Sequence, residues 1–254
     1  MNEEVLYENR GSITVITINR PQQRNAISTN VRLGLRAAFE KFELDSNANV
    51  AILTGQGDKA FCAGMDLKEA AEMQLKVPPR NFLPIIGESI HLSKPVIAAV
   101  NGFAYAGGWL LAQMCDLCVA SEHATFAISE AKVGRGMPWA APLGHLIPQR
   151  IMVELLLTGD AIDAARAYQI GFVNRVVPAS QLMEAAIEMA EKISANAPLT
   201  VRAARELVYM STEMGRSAAL RTGHHLFESV YQSNDAQEGP KAFQEKRKPR
   251  WTGT

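Results

Sequence analysis

At 254 residues the chain is long enough for one large core, or for a core with a helical extension, and nothing in its composition suggests disorder. Lys plus Arg equals Asp plus Glu, 26 of each, which removes the global charge that would draw nucleic acid or an anionic membrane surface. No apolar run reaches the roughly 18–20 residues a bilayer span requires, and the acidic start Met1-Asn2-Glu3-Glu4 resembles neither a signal nor a transit peptide, so a soluble, cytoplasmic protein is expected.

In chain order, Ser12 to Asn19 is β-branched and reads as a strand ending at Arg20-Pro21. Asn25-Ala26-Ile27-Ser28 leads into an amphipathic segment from Thr29 to Leu44. Its Val31, Leu35, Ala38, Phe39 and Phe42 keep helical spacing, with Ser28 or Thr29 as N-cap. A second strand, Val50 to Thr54, ends in Gly55-Gln56-Gly57, and Phe61-Cys62-Ala63-Gly64-Met65-Asp66-Leu67 opens a second helical stretch with Asp66 as its candidate cap. Lys76-Val77-Pro78-Pro79-Arg80 breaks that pattern and has the composition of a mobile lid or linker. The run Pro95 to Val100 suits a buried strand; it stops at Asn101-Gly102. Ala106-Gly107-Gly108 then precedes the apolar run Trp109 to Met114, which reads as the first turns of a buried helix. Strand, glycine turn and helix thus recur three times without a strict repeat, the pattern of an α/β fold with parallel strands. Near the C-terminus, Ala185 to Ile193 and Leu199 to Met210 read as amphipathic helices of a tail with no obvious core of its own.

Glycines where a helix begins leave N–H groups unscreened by a Cβ, and the helix dipole adds partial positive charge there, so Gly107-Gly108 would welcome an oxyanion. Alone, the pair would be read only as a close helix contact. Neither G-x-G-x-x-G nor a Gly-Lys-Ser/Thr ending is present, which disfavours the nucleotide-binding readings. Some twenty residues on, Glu130 ends another short apolar run, Phe126-Ala127-Ile128-Ser129, and is a candidate proton carrier. The three cysteines, Cys62, Cys115 and Cys118, lie in apolar runs. Cys115 and Cys118, three apart on the expected helix, read as core residues, and no Cys/His cluster has metal-ligand spacing. His145, His224 and His225 have no catalytic partner in the pattern.

Several blocks in succession resemble the crotonase superfamily, the enoyl-CoA hydratase/isomerase family. They are Asn19-Arg20-Pro21 with Arg24-Asn25-Ala26, then Phe61 to Leu67, Lys94 to Gly102, and Ser129-Glu130-Ala131-Lys132-Val133-Gly134. The C-terminal half is similar too, in Leu157-Thr158-Gly159-Asp160, Gly171 to Val177 and Asp235 to Arg247. The resemblance implies a spiral of ββα units over residues 1–195 carrying an acyl-CoA site. A C-terminal helical trimerisation region would follow over 196–254, giving a homotrimer or a dimer of trimers. Coenzyme A would enter as part of an acyl-CoA thioester substrate, with no separate cofactor and no metal.

By the same resemblance, the backbone amides of Met65 and Gly107 form an oxyanion hole for the thioester oxygen, and Glu130 is the catalytic acid/base. Chemistry beside a thioester carbonyl builds an enolate, and one donor aimed at such an oxygen is worth roughly 3–4 kcal/mol. Arg24, Ala26, Ala63, Asp66, Leu67, Leu110, Trp139 and Lys246 map to CoA or acyl contacts. For Asp66 helix capping is the preferred role, and Arg24 is a better CoA contact than Lys246. The departure is Leu110, which matches the first of two glutamates that grip water in the family's typical hydratases; Glu130 matches the second. A single carboxylate suits 3-enoyl-CoA to 2-enoyl-CoA isomerisation. It also suits hydroxycinnamoyl-CoA hydratase-lyases, which the segment Ala63 to Glu69 resembles, whereas the tail is closer to carnitinyl-CoA dehydratase. A catalytically impaired acyl-CoA-binding homologue is a further class, while the neutral charge argues against RNA binding.

Overall fold

The computed structural model describes residues 4–74 and 76–254; Met1, Asn2 and Glu3 of the acidic start lie outside the described residues. The chain opens with an antiparallel pair, β1 (Val5–Arg10) and β2 (Ile13–Ile18), followed by helix α1 (Thr29–Leu44). Next come β3 (Val50–Gly55), β4 (Ala60–Cys62) and α2 (Leu67–Glu72), then β5 (Val96–Val100), β6 (Phe103–Tyr105) and α3 (Gly107–Gln113). The strands β7 (Leu117–Ser121) and β8 (Thr125–Ala127) begin a further pass, which continues through 3-10 turns to α4 (Gln149–Thr158). The remaining elements are β9 (Ile162–Asp163), α5 (Ala164–Gln169), β10 (Arg175–Val177), α6 (Leu182–Ser194), α7 (Pro198–Glu213), α8 (Arg216–Gln232) and α9 (Asn234–Gln244).

Each pass places a long strand in one sheet and a short strand in another. The larger sheet runs β1-β2-β3-β5-β7-β10, parallel except for the β1–β2 pair; the smaller runs β4-β6-β8-β9, parallel except for β9. This is the spiral of ββα units expected from the resemblance. Residue patterning alone pointed to one strand per pass, and β4 falls where a helical stretch was expected to open.

The central strands β3 and β5 are buried on both faces, as parallel strands between helical layers must be. Alternate residues of β3 serve two separate cores. Ala51 and Leu53 join the main cluster with Val31, Leu35 and Phe39 of α1, while Val50 and Ile52 pack with Leu182, Ala185, Ala186 and Ala190 of α6. Ala185 to Ile193 therefore belongs to the sheet's second face and not to a separate tail, because its small-residue stripe lies flat against Ile97, Ala99 and Val119.

A largely shielded ion pair ties α7 to this core. Asp116 accepts from the Val96 amide at 2.7 Å, from Arg205 Nε at 2.7 Å and from the Tyr209 hydroxyl at 2.6 Å, and Arg205 also donates to the Leu92 carbonyl at 2.8 Å. The last residues fold back in turn. Trp251 donates its indole N–H to the Ala195 carbonyl, and Asp235 accepts from the amides of Thr252 and Gly253. The cysteines are all buried and free, but Cys118 lies in β7 and Cys115 just beyond α3, because that helix stops at Gln113 and the chain turns into a strand. No helix among the described residues is long and apolar enough to cross a membrane.

Candidate active site

Three neighbouring parallel strands deliver three functional groups to one edge. In the smaller sheet Cys62 is in register with Ala104, and Tyr105 with Ala127. Met65 follows the end of β4 by three residues, Gly107 follows β6 by two, and Glu130 follows β8 by three. All three thus emerge at the carboxyl ends of adjacent strands, the position at which α/β sheets bind ligands.

The Met65 amide is freed by a local zipper. Ala63 N–H donates to the Arg24 carbonyl at 3.0 Å, Ile27 N–H to the Gly64 carbonyl at 2.8 Å and Asp66 N–H to the Ile27 carbonyl at 3.1 Å, so Ile27 bridges Met65 in parallel through the residues on either side and leaves the Met65 N–H unused. Gly64, at φ 91°, makes the turn that a side chain would strain. Across from it, Gly107 opens α3, where the first N–H groups have no acceptor within the helix. The preceding Ala106 holds φ 53° and ψ −119°, a conformation that costs a residue with a Cβ of order 1–3 kcal/mol. Its own amide is pinned to Ala127 at 2.8 Å. The two segments touch, since an ideal Cβ on Gly107 would stand 3.7 Å from the Met65 nitrogen. Among the described residues neither amide has an acceptor. Paired free donors directed at one point are what a developing oxyanion requires.

Glu130 is 7% exposed, at the start of a 3-10 turn, Glu130–Val133. Burial pushes its pKa up, opposed in part by the nearness of its own backbone amide and of the Trp139 side chain. Its Oε2 has no partner among the described residues. A carboxyl whose pKa is raised by burial and which has one oxygen free is equipped both to take a proton and to return it.

The remaining candidates separate into three groups. Asp66 caps α2, accepting from the Lys68 and Glu69 amides, and is held by Arg20 at 3.0 Å, which agrees with the capping role. Ala26, Ala63 and exposed Leu67 frame the same turn, and Arg24, in a left-handed conformation, carries its guanidinium 6.0 Å from the centroid of Phe103. Leu110 is buried on α3 yet joins neither apolar core, and half-buried Trp139 packs against the main one. Lys246 stands apart, exposed at the end of α9 with no hydrogen bond or ion pair to the other candidates. Two residues that patterning did not single out have roles here. Arg20 staples Glu4, Ala26 and Asp66 together, and Gln113 donates to the Trp139 carbonyl at 3.1 Å. Arg20 stood inside a matched block; Gln113 carried no signal.

A model of the family described as enoyl-CoA hydratase/isomerase matches residues 8–254. The chain belongs to the enoyl-CoA hydratase/isomerase family. A carnitinyl-CoA dehydratase from Salmonella typhi is 40% identical, with each chain covered in full. An enoyl-CoA hydratase structure from Mycobacterium marinum superposes with TM-score 0.92 at 40% identity, covering 99% of this chain and 100% of that one. Another from Bacillus anthracis gives 0.91 at 34% identity, with the same coverage. This enoyl-CoA hydratase/isomerase family member therefore has the crotonase fold and is an enzyme acting on CoA thioesters.

Proposed function

We propose that the enzyme moves a proton beside the thioester carbonyl of an enoyl-CoA, with Met65 and Gly107 holding the enolate oxygen and Glu130 as the single acid/base. The observation that carries this reading is the convergence of two acceptor-free amides and a buried carboxyl with one free oxygen on adjacent strand ends. Glu130 removes a proton from one carbon of a 3-enoyl-CoA, the negative charge is delocalised onto the thioester oxygen, and the same carboxyl returns the proton two carbons away. Only one carboxylate is needed. Leu110 supplies an apolar wall that keeps water from the dienolate. Coenzyme A enters as part of the substrate, with Arg24 and the turn Ala26, Ala63 and Leu67 on its path and Lys246 a contact only across a subunit boundary. The assembly is a homotrimer or dimer of trimers, the tail beginning with α7, and the compartment is the cytoplasm.

Hydration or hydratase-lyase chemistry is the second reading, supported by the full-length likeness to carnitinyl-CoA dehydratase, whose reaction class is water loss. A catalytically impaired homologue is a poorer fit, since a binding protein has no need of a buried, unpartnered carboxyl at that edge. A panel of CoA thioesters, 2-enoyl, 3-enoyl, hydroxyacyl and hydroxycinnamoyl, followed by mass spectrometry tests the proposal. Mass-neutral conversion of a 3-enoyl-CoA supports isomerisation, a gain or loss of water supports the second reading, and no conversion of any member counts against both.

A further inference from the structure

Ile27 and Met65, the two bridged residues, each stand one place before a helix cap. Ser28 caps α1, accepting from the Val31 amide at 3.1 Å, and its hydroxyl donates to Glu4 Oε2 at 2.5 Å. Asp66 caps α2 with one oxygen only, since the Lys68 and Glu69 amides both donate to Oδ1. Its other oxygen belongs to Arg20. That guanidinium donates through Nη1 to Asp66 Oδ2 at 3.0 Å and to the Ala26 carbonyl at 2.9 Å, while Nε lies 3.4 Å from Glu4 Oε1. An exposed ion pair would contribute little, but these side chains are 15% and 16% exposed and the guanidinium carries a backbone carbonyl as well.

The backbone of Arg20 is tied as firmly as its side chain. Its amide donates to Asn25 Oδ1 at 3.0 Å, and its carbonyl accepts from the Asn25 amide at 2.9 Å. Asn25 is fully buried at φ 55°, a conformation asparagine tolerates better than most residues, and its Nδ2 donates to the carbonyls of Ala60 at 2.7 Å and Gln56 at 3.0 Å. The turn from Arg20 to Ile27 therefore grips β4 and the residues after it along their whole length. Asn25 holds Ala60, where the strand starts; Arg24 holds Ala63; Ile27 holds Gly64 and Asp66 through the backbone; and Arg20 holds Asp66 through its side chain.

We infer that Arg20 is a positioning residue for the oxyanion hole: by tying Asp66 Oδ2 to the Ala26 carbonyl it fixes the Met65 amide relative to the Gly107 amide, with Asn25 anchoring the other end of the same turn. An oxyanion donor is effective only when it is already aimed at the oxygen. The inference deepens the proposed function and rests on Met65 and Gly107 being its oxyanion donors.

The test follows the carbonyl stretch of bound butyryl-CoA, isotopically labelled at the carbonyl, by infrared difference spectroscopy at saturating concentration. A saturated thioester has no double bond to move, so the readout needs no turnover. Two N–H donors on the thioester oxygen should lower the stretch on binding to the wild type. Arg20→Met keeps most of the side-chain length and removes its donors; Asp66→Asn keeps a good cap and removes the charge. Each should return the stretch part of the way to its value in solution. On the thioester that the panel shows to be converted, kcat should fall about tenfold, part of the roughly 10²–10³-fold that one oxyanion donor supplies. The double variant should lose no more than the worse single one, because both changes break one contact. Arg20→Lys should recover part of the stretch and of kcat. A role in folding alone would lower the urea midpoint and leave the stretch and kcat of the folded enzyme at wild-type values, and that result in both single variants overturns the inference. The two failures are distinguishable. A wild type that binds butyryl-CoA without lowering its stretch removes the oxyanion reading and this inference with it, whereas a wild-type shift preserved in Arg20→Met and Asp66→Asn removes the inference alone.

Discussion

A β-carbon built on Gly108 would stand 2.0 Å from the carbonyl oxygen of Cys62, a separation at which the backbone must yield. The second residue of α3 is thereby pressed against the last residue of β4, and the two amide-bearing segments cannot drift apart. Gly108→Ala is expected to cost about 1–3 kcal/mol through overpacking and to lower turnover further by displacing the Gly107 amide. Urea unfolding with kcat/KM on the same preparation checks both; wild-type stability would show that the helix start is free to shift.

Glu130→Gln keeps the side chain's shape and removes proton transfer, so turnover should fall by about 10²–10⁴-fold while acyl-CoA binding persists, as calorimetry would report. Turnover at the wild-type rate would sink the assignment.

Titration of the same residue adds a stability effect with a definite sign. Burial raises its pKa, so between the ordinary glutamate value and the raised one the folded chain holds more protons than the unfolded chain. This contribution to stability is present at low pH and is lost as pH rises through that window. Glu130→Gln should flatten that part of the profile of urea midpoints against pH. The acid limb of kcat/KM in the wild type, where the base form is protonated away, should fall off around the same raised value.

Leu110→Glu restores a second carboxyl at a buried position. Water must be oriented and deprotonated as it attacks, and under the proposed mechanism Glu130 alone is available for both tasks. Hydration of crotonyl-CoA should therefore be slow in the wild type and faster in the variant, where Trp109 and Trp139 leave space for a water and the new carboxylate is solvated. Comparing both enzymes on crotonyl-CoA and on a 3-enoyl-CoA decides the matter. A wild-type hydration rate of roughly 10–10³ per second would mean that Glu130 alone suffices.

How far these features could be read from the chain depends on their length and locality. The helix from Thr29 to Leu44 and its Ser28 cap, the Asp66 cap and the strands at Val50 and Val96 were legible, because each is a local pattern that tertiary packing reinforces. The strands β4, β6 and β8 are three residues each, too short for alternation to register, and they are the ones that carry the site. Edge strand β1 was hidden by its outward-facing Glu8, Asn9 and Arg10. The Gln113–Trp139 contact joins residues 26 apart through a backbone carbonyl, which leaves no trace in side-chain pattern.

Asp116→Asn should loosen α7 from the core. The Asp116–Arg205 pair is only partly buried, with side chains 12% and 10% exposed, so removing one partner should cost less than the roughly 3–5 kcal/mol of a fully buried pair. Thermal melting should show a lowered midpoint; one unchanged within error would mean that the tail is held by packing alone.

A homotrimer or dimer of trimers is expected at micromolar concentration by sedimentation velocity. Val208, Leu220, Tyr231 and Phe243 of α7, α8 and α9 leave large apolar surfaces open, Phe243 being 87% exposed. A monomeric mass would contradict the assembly.

The three buried thiols give this enzyme an internal clock. Burial pushes Cys62 and Cys118 up to about 12 and Cys115 well above its usual value, so none is nucleophilic while the chain is closed. An alkylating reagent can reach them only through an opening. Because Cys62 lies in the smaller sheet, Cys118 in the larger and Cys115 at the end of α3, three labelling rates report how often each region breathes, separately and without any engineered probe.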